Sequence, residues 1–91
     1  MTDVPRAVFL IRQVGRADVA SVDVVAGMFP DRQQDFVLSI NETDIAVVKQ
    51  IQPNTEKEEL IKVAQTIEQT LHSELFIKTV IGIGTVASHL R

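Results

Sequence analysis

Few residues of this chain have the types and spacing that enzyme chemistry requires. The sequence contains no cysteine, which excludes thiolate nucleophiles, disulfides and thiolate metal sites. Its two histidines, His72 and His89, lie far apart in the sequence. No motif places a carboxylate or a second metal ligand at a suitable spacing from either one. His72 falls in the last turn of a predicted helix, where a positive charge suits the helix dipole. We therefore interpret neither histidine as catalytic or metal-binding.

The acidic residues form two small groups that ordinary local structure explains. Glu56, Glu58 and Glu59 crowd the start of a predicted helix, where the helix dipole favours negative charge. Glu42 and Asp44 lie at a predicted hairpin tip and could form a weak cation site, but turn chemistry alone accounts for them. No serine lies within a nucleophile motif. The sequence thus predicts no catalytic residue, no metal site and no cofactor.

A partial glycine motif, Gly82-Ile83-Gly84, lies near the end of the chain. A dinucleotide-binding loop has the pattern Gly-x-Gly-x-x-Gly between a strand and a helix, and its third glycine is Ala87 here. Alanine is sometimes tolerated at that position, but the acidic residue that binds the ribose would lie beyond Arg91. The favoured interpretation is a pair of strand glycines that allow another backbone to approach closely.

Composition limits the class of protein. The 91 residues suffice for one small domain, and a hydrophobic fraction of 45% with 23% charged residues argues against disorder. The net charge of −3 argues against nucleic-acid and anionic-membrane surfaces. No apolar stretch is long enough to span a bilayer. We expect a cytoplasmic single domain over residues 1–91, cut from a longer protein because the sequence stops directly after an apolar segment.

Hydrophobic periodicity predicts six elements in the order β-α-β-β-α-β. In the first helix Asp18 is the predicted N-cap, and in the second Thr55 and Glu58 have the spacing of a capping box. The helices are predicted over about 18–30 and from position 55 to about position 73. The strands are predicted over 7–14, 35–40, 45–51 and 76–83.

This order predicts an α+β, ferredoxin-like fold with a four-stranded antiparallel sheet and two helices on one face. The expected spatial order of the strands is second, third, first, fourth, because the first strand is apolar on both faces. The fourth strand is then an apolar edge, and a second copy, a further C-terminal element, or both should cover it. The predicted interaction edge comprises Phe76, Lys78, Val80, Ile81 and Ile83.

Three segments, DFVLSINETDIAVV, EELIKVAQTIEQTL and FIKTVIGIGTVASHLR, give the chain a family resemblance. It resembles the degenerate GGDEF-like domain of PucR/CdaR-type bacterial transcription regulators, which control purine and sugar-diacid catabolism. The resemblance covers essentially the whole chain, and its last segment is the most specific. It implies a nucleotide-cyclase-like core that sits between a sensory part and a helix-turn-helix.

The resemblance also implies that cyclase activity is lost. Both glycines of the GGDEF hairpin are missing, and the metal-binding aspartate expected near the end of the first strand is replaced within 12–14 by Arg-Gln-Val. The degenerate hairpin positions are Asn41, Glu42, Thr43, Asp44 and Ile45.

We therefore expect a non-catalytic domain for signal relay and self-association. Its expected partners are a second copy, as a homodimer or swapped oligomer, and other domains of the same regulator, with no direct nucleic-acid contact. The alternative is an ACT-like domain that binds a metabolite at a dimer interface. Two enzyme hypotheses rank lower. One is residual cyclase activity that depends on Glu42 and Asp44. The other is an acylphosphatase-like site using Arg16 and Asn41, whose loop is too short and acidic to hold phosphate.

Overall fold

The structure, a computed structural model, describes residues 4–86, and the predicted element order is confirmed. His89 and the serine before it lie outside the described residues. Four strands and two helices follow one another along the chain: β1 Arg6–Val14, α1 Ser21–Met28, β2 Asp35–Ser39, β3 Asp44–Gln50, α2 Lys57–Leu75 and β4 Lys78–Val86.

The four strands form one sheet in the order β2-β3-β1-β4, with every neighbouring pair antiparallel. This is the predicted spatial order, with β1 inside and β4 at an edge. Phe9 of β1 lies between Val47 of β3 and Ile83 of β4. The α+β, ferredoxin-like arrangement is therefore confirmed.

The hydrophobic core joins one face of this sheet to both helices. Phe9 and Ile11 of β1 are buried together with Val25 of α1 and with Ile67 and Leu71 of α2. The helical residues come from one apolar stripe at i, i+4 spacing, as the sequence of α2 predicts. Burying a side chain of this size stabilises the fold by about 1.5–3 kcal/mol.

The opposite face of the sheet carries apolar side chains that no helix covers in the described residues. We call this surface the open face. In β1, Leu10 retains 53% of its accessible surface, and in β2, Leu38 retains 57%. The predicted alternation of β2 is present, and it places Phe36 and Leu38 outward and Val37 toward the helices. The open face comprises Val8, Leu10, Arg12, Val14, Phe36, Leu38, Ile40, Asp44, Ala46, Val48, Lys78, Val80, Gly82 and Gly84.

The predicted helix caps are wrong. Asp18 does not cap α1, since its side-chain oxygen accepts the N–H of Ala20, the residue just before the helix, at 2.8 Å. The Thr55 hydroxyl faces backward and accepts the N–H of Gln52 at 3.0 Å, so it is not free to cap α2. That helix begins at Lys57 without a side-chain cap.

The boundary between α2 and β4 also differs from the prediction. The helix runs to Leu75, and Phe76 ends it in the left-handed conformation at φ 56°. The fourth strand was predicted over 76–83, but β4 begins only at Lys78, so Phe76 lies outside it.

Candidate functional site

The tip of the β2–β3 hairpin is held by the side chain of Asn41. Its carbonyl oxygen accepts the backbone N–H groups of Thr43 at 2.9 Å and Asp44 at 2.8 Å. These contacts form an Asx-type turn, in which a short amide side chain replaces a backbone acceptor. The turn thus fixes the backbone conformation of the hairpin tip without a glycine.

The Asp44 carboxylate is bound by Arg12, its cross-strand neighbour. The guanidinium donates two hydrogen bonds, from Nε at 3.0 Å and from a terminal nitrogen at 2.9 Å, and the Thr43 hydroxyl donates a third at 2.9 Å. The hydrogen bond from Arg12 is the main reason that the pKa of Asp44 lies well below its usual range, and the same pair raises the pKa of Arg12. The carboxylate is thus engaged by groups of the chain itself.

Behind this pair, Gln13 connects the end of β1 to α1 and to the hairpin. Its side-chain oxygen accepts the buried Ser21 hydroxyl at 2.7 Å and the N–H of Asp18 at 2.9 Å, and its amide nitrogen donates to the backbone oxygen of Thr43 at 3.4 Å. No local sequence motif predicts this structural role of Gln13. The signal that could have found it was its position, since a polar residue follows Phe9 and Ile11 on the inward side of an apolar strand.

The other candidate ligands are not brought together. Glu42 and the glutamates at the start of α2 are exposed, and so is His72 at its end. Residues 4–86 contain no group of three or more histidine, aspartate or glutamate side chains that could hold a metal ion. Arg16 donates to the backbone oxygen of Leu75 and lies beside Asp18, so it does not form an anion cradle with Asn41.

The glycines of β4 are not required by the packing of the described residues. A Cβ atom built on Gly82 or on Gly84 would meet nothing within 4 Å, and neither residue has a positive φ. Within the described chain no backbone approaches them in the way that glycine in a strand would permit. The close approach inferred from the sequence therefore stays a prediction that requires a partner.

The predicted interaction edge is divided between two surfaces. Val80, which is 64% exposed, and Lys78 belong to the open side of the sheet, whereas Ile81 and Ile83 face α2. Phe76 is 78% exposed at the preceding turn. Ile83 and Ile61 of α2 line a groove of about 430 Å³ beside the strand. Four of the five residues thus belong to β4 and Phe76 precedes it, and together they do not form one contact patch.

A cleft of about 500 Å³ lies where α2 ends and β4 begins. Its lining includes Glu68 and His72 from α2 and Lys78 and Thr79 from β4. The Thr79 hydroxyl is buried and has no hydrogen-bond partner within the described part of the chain. The lining thus combines acidic, basic and hydroxyl side chains with apolar ones such as Val14 and Ile77.

Comparisons of the chain with protein-family models, with curated proteins and with solved structures found no significant match. The resemblance to PucR/CdaR-type regulators therefore depends on the sequence segments alone. Neither helix in residues 4–86 is both long and apolar enough to cross a membrane.

Proposed function

We propose that this chain is a non-catalytic domain for signal relay and self-association in a bacterial transcription regulator of the PucR/CdaR type, acting in the cytoplasm. The observation that carries the proposal is the open face, where large apolar side chains such as Leu10 and Leu38 are about half exposed. Contiguous apolar surfaces of this kind mark interaction sites in small domains. The family resemblance supplies the regulatory context.

The hairpin tip supports the non-catalytic part of the proposal. Metal-dependent phosphoryl transfer needs carboxylates that are free to neutralise a triphosphate through bound cations. Asp44 is bound by Arg12 and Thr43, and Asn41 is committed to the turn. A metal at Asp44 would have to displace the guanidinium and bring its own positive charge close to that of Arg12.

Two separate surfaces would allow the domain to relay a signal. The open face is suited to a second copy, and the groove beside Ile61 and Ile83 is suited to another part of the same regulator. A signal that changes one of these contacts would shift the population of the other, because both contacts use β4.

Sedimentation velocity of the purified chain over a wide concentration range tests self-association. We expect a reversible shift from monomer to dimer as the concentration rises. A strictly monomeric species at high concentration would contradict this part of the proposal. In a parallel assay, GTP with Mg²⁺ should not be turned over. Turnover that is lost on Glu42→Ala or Asp44→Ala would show that a cyclase site persists.

A second candidate function is metabolite sensing of the ACT-like type, and the cleft around Thr79 favours it. A saturable thermal shift with an amino acid, a diacid or a purine would support sensing. That shift should disappear in Thr79→Val, which keeps the side-chain shape but removes the hydroxyl. The absence of any shift across the three ligand classes would exclude it.

A further inference from the structure

The open face is asymmetric across the sheet. Strand register aligns its residues in rows that run from β2 through β3 and β1 to β4. In the two central rows the β2 residue is large and the β4 residue is glycine. These rows are Phe36, Val48, Val8, Gly84 and Leu38, Ala46, Leu10, Gly82.

One edge of the open face is therefore a ridge, and the other is a groove. Phe36 and Leu38 protrude on the ridge, and each keeps about half of its surface exposed. Gly82 and Gly84 form the floor of the groove, and no atom of the described chain lies within 4 Å of a Cβ atom built on either glycine. Glycine weakens a strand interior, so its presence here fits a surface that receives another chain.

We propose that the open face is a homodimer interface in which two sheets pack face to face about a two-fold axis parallel to the strands. This axis exchanges left and right across the sheet and keeps each row in place. It brings β2 of one copy over β4 of the second, and β3 over β1. Leu38 then lies over Gly82 of the second copy, and Phe36 lies over Gly84. The inner strands match as well, since the small Ala46 opposes Leu10.

The next row adds charge complementarity. It contains Asp44 on β3 and Arg12 on β1, paired within each chain. Under the same axis Arg12 lies opposite Asp44 of the second copy, which gives four alternating charges at the end of an apolar interface. Alternating charges of this kind fix the register of one sheet on the other, because a shifted arrangement would bring like charges together. An axis perpendicular to the strands would instead oppose ridge with ridge and groove with groove.

The size of the face is suitable for a second copy. Four strands spaced ~4.8 Å apart and about seven residues long present a footprint of ~450 Å². Standard interfaces bury ~800 Å² of accessible surface on each partner. Because accessible surface follows the side chains, it exceeds the flat footprint, so the two areas are of the same order. This inference rests on the self-association part of the proposed function and specifies the surface that mediates it.

Gly82→Leu is the primary test, and Gly27→Leu is its matched control. A Cβ atom at either position would meet nothing within 4 Å, but Gly27 lies on α1, away from the open face. Filling the groove twice in each dimer should raise the dimer Kd by at least ~10-fold, in line with the cost of overpacking. The melting temperature of the monomer should not fall. The control should leave the Kd unchanged.

The double variant Leu38→Ala/Gly82→Leu identifies the contact as one between two copies. Within one chain the two positions are three strand spacings apart, ~14 Å, so they cannot compensate each other. Between copies, the leucine introduced at position 82 would face the space vacated at position 38. We expect the double variant to recover most of the dimer affinity that Gly82→Leu loses, beyond the sum of the single effects.

The outcomes separate this inference from the proposed function. A wild-type chain that never dimerises overturns both. A wild-type dimer that Gly82→Leu leaves unchanged overturns the face-to-face interface but preserves self-association, through the β4 edge for example. Loss of dimer in Gly82→Leu without recovery in the double variant overturns the proposed axis.

Discussion

The two faces of the sheet have similar hydrophobic character, and their environments are opposite. In β1, Phe9 and Ile11 are almost fully buried against the helices, whereas Leu10 between them is 53% exposed. The covered face contributes directly to the stability of the monomer. The open face contributes little until a partner covers it, because apolar surface stabilises only when it is removed from water. Under the proposed function, one face serves folding and the other serves association.

Substituting the core residue Phe9 and its neighbour Leu10 should give the largest contrast. Phe9→Ala should lower the free energy of unfolding by about 3–5 kcal/mol, because it leaves a cavity among residues of both helices. Leu10→Ala should cost the dilute monomer less than about 1 kcal/mol while weakening the dimer. Urea denaturation at low concentration and sedimentation at high concentration measure the two effects. If Phe9→Ala and Leu10→Ala lowered the stability of the monomer equally, the two faces would not differ in their contribution to folding.

Gln13 offers an intermediate test on the covered side. Gln13→Leu should destabilise the chain by about 1–3 kcal/mol, since the buried Ser21 hydroxyl and the N–H of Asp18 lose their acceptor. Ser21→Ala alone should lower the free energy of unfolding by less, because the N–H of Asp18 still donates to the Gln13 side chain. Thermal denaturation of both variants, followed by circular dichroism, provides the comparison. A neutral Gln13→Leu would show that water replaces this network without cost.

Removing the Arg12–Asp44 ion pair on the open face should have the smallest effect on stability. The effect should be visible mainly in how the free energy of unfolding depends on pH. A carboxyl group whose pKa is lowered by folding stabilises the protein above its unfolded pKa, which is ~3.9 for aspartate. That contribution is lost as the pH falls from about 4 through the lower, folded value. Asp44→Asn should therefore flatten the acid limb of the stability curve, measured by urea denaturation across a pH series. An unchanged acid limb would show that the ion pair does not form in solution.

The sequence predicted the element order and strand order well, because β1 is apolar at both alternating sets of positions and must lie inside. It failed at the helix caps, since the spacing of Thr55 and Glu58 does not reveal that Gln52 engages the Thr55 hydroxyl first. The left-handed turn at Phe76 was hidden by an apolar run that continues into β4.

The candidate surfaces were less predictable for a different reason. The Arg12–Asp44 pair joins residues 32 positions apart, so it depends on strand register rather than on local spacing. Similarly, Gly82 and Leu38 lie in the same row of the open face only because the register of all four strands aligns them. The identity of the uncovered face could not be inferred from β1, because both of its sides are equally apolar.

The most direct test of the face-to-face dimer is an isotope-filtered NOE experiment on a mixture of labelled and unlabelled chains at a concentration where dimer predominates. The proposed axis predicts intermolecular cross-peaks from the Leu38 methyl groups to the α-protons of Gly82, and from the Phe36 ring to those of Gly84. A dimer whose intermolecular cross-peaks arise only along the outer edge of β4, with none from Leu38 or Phe36, would contradict the account.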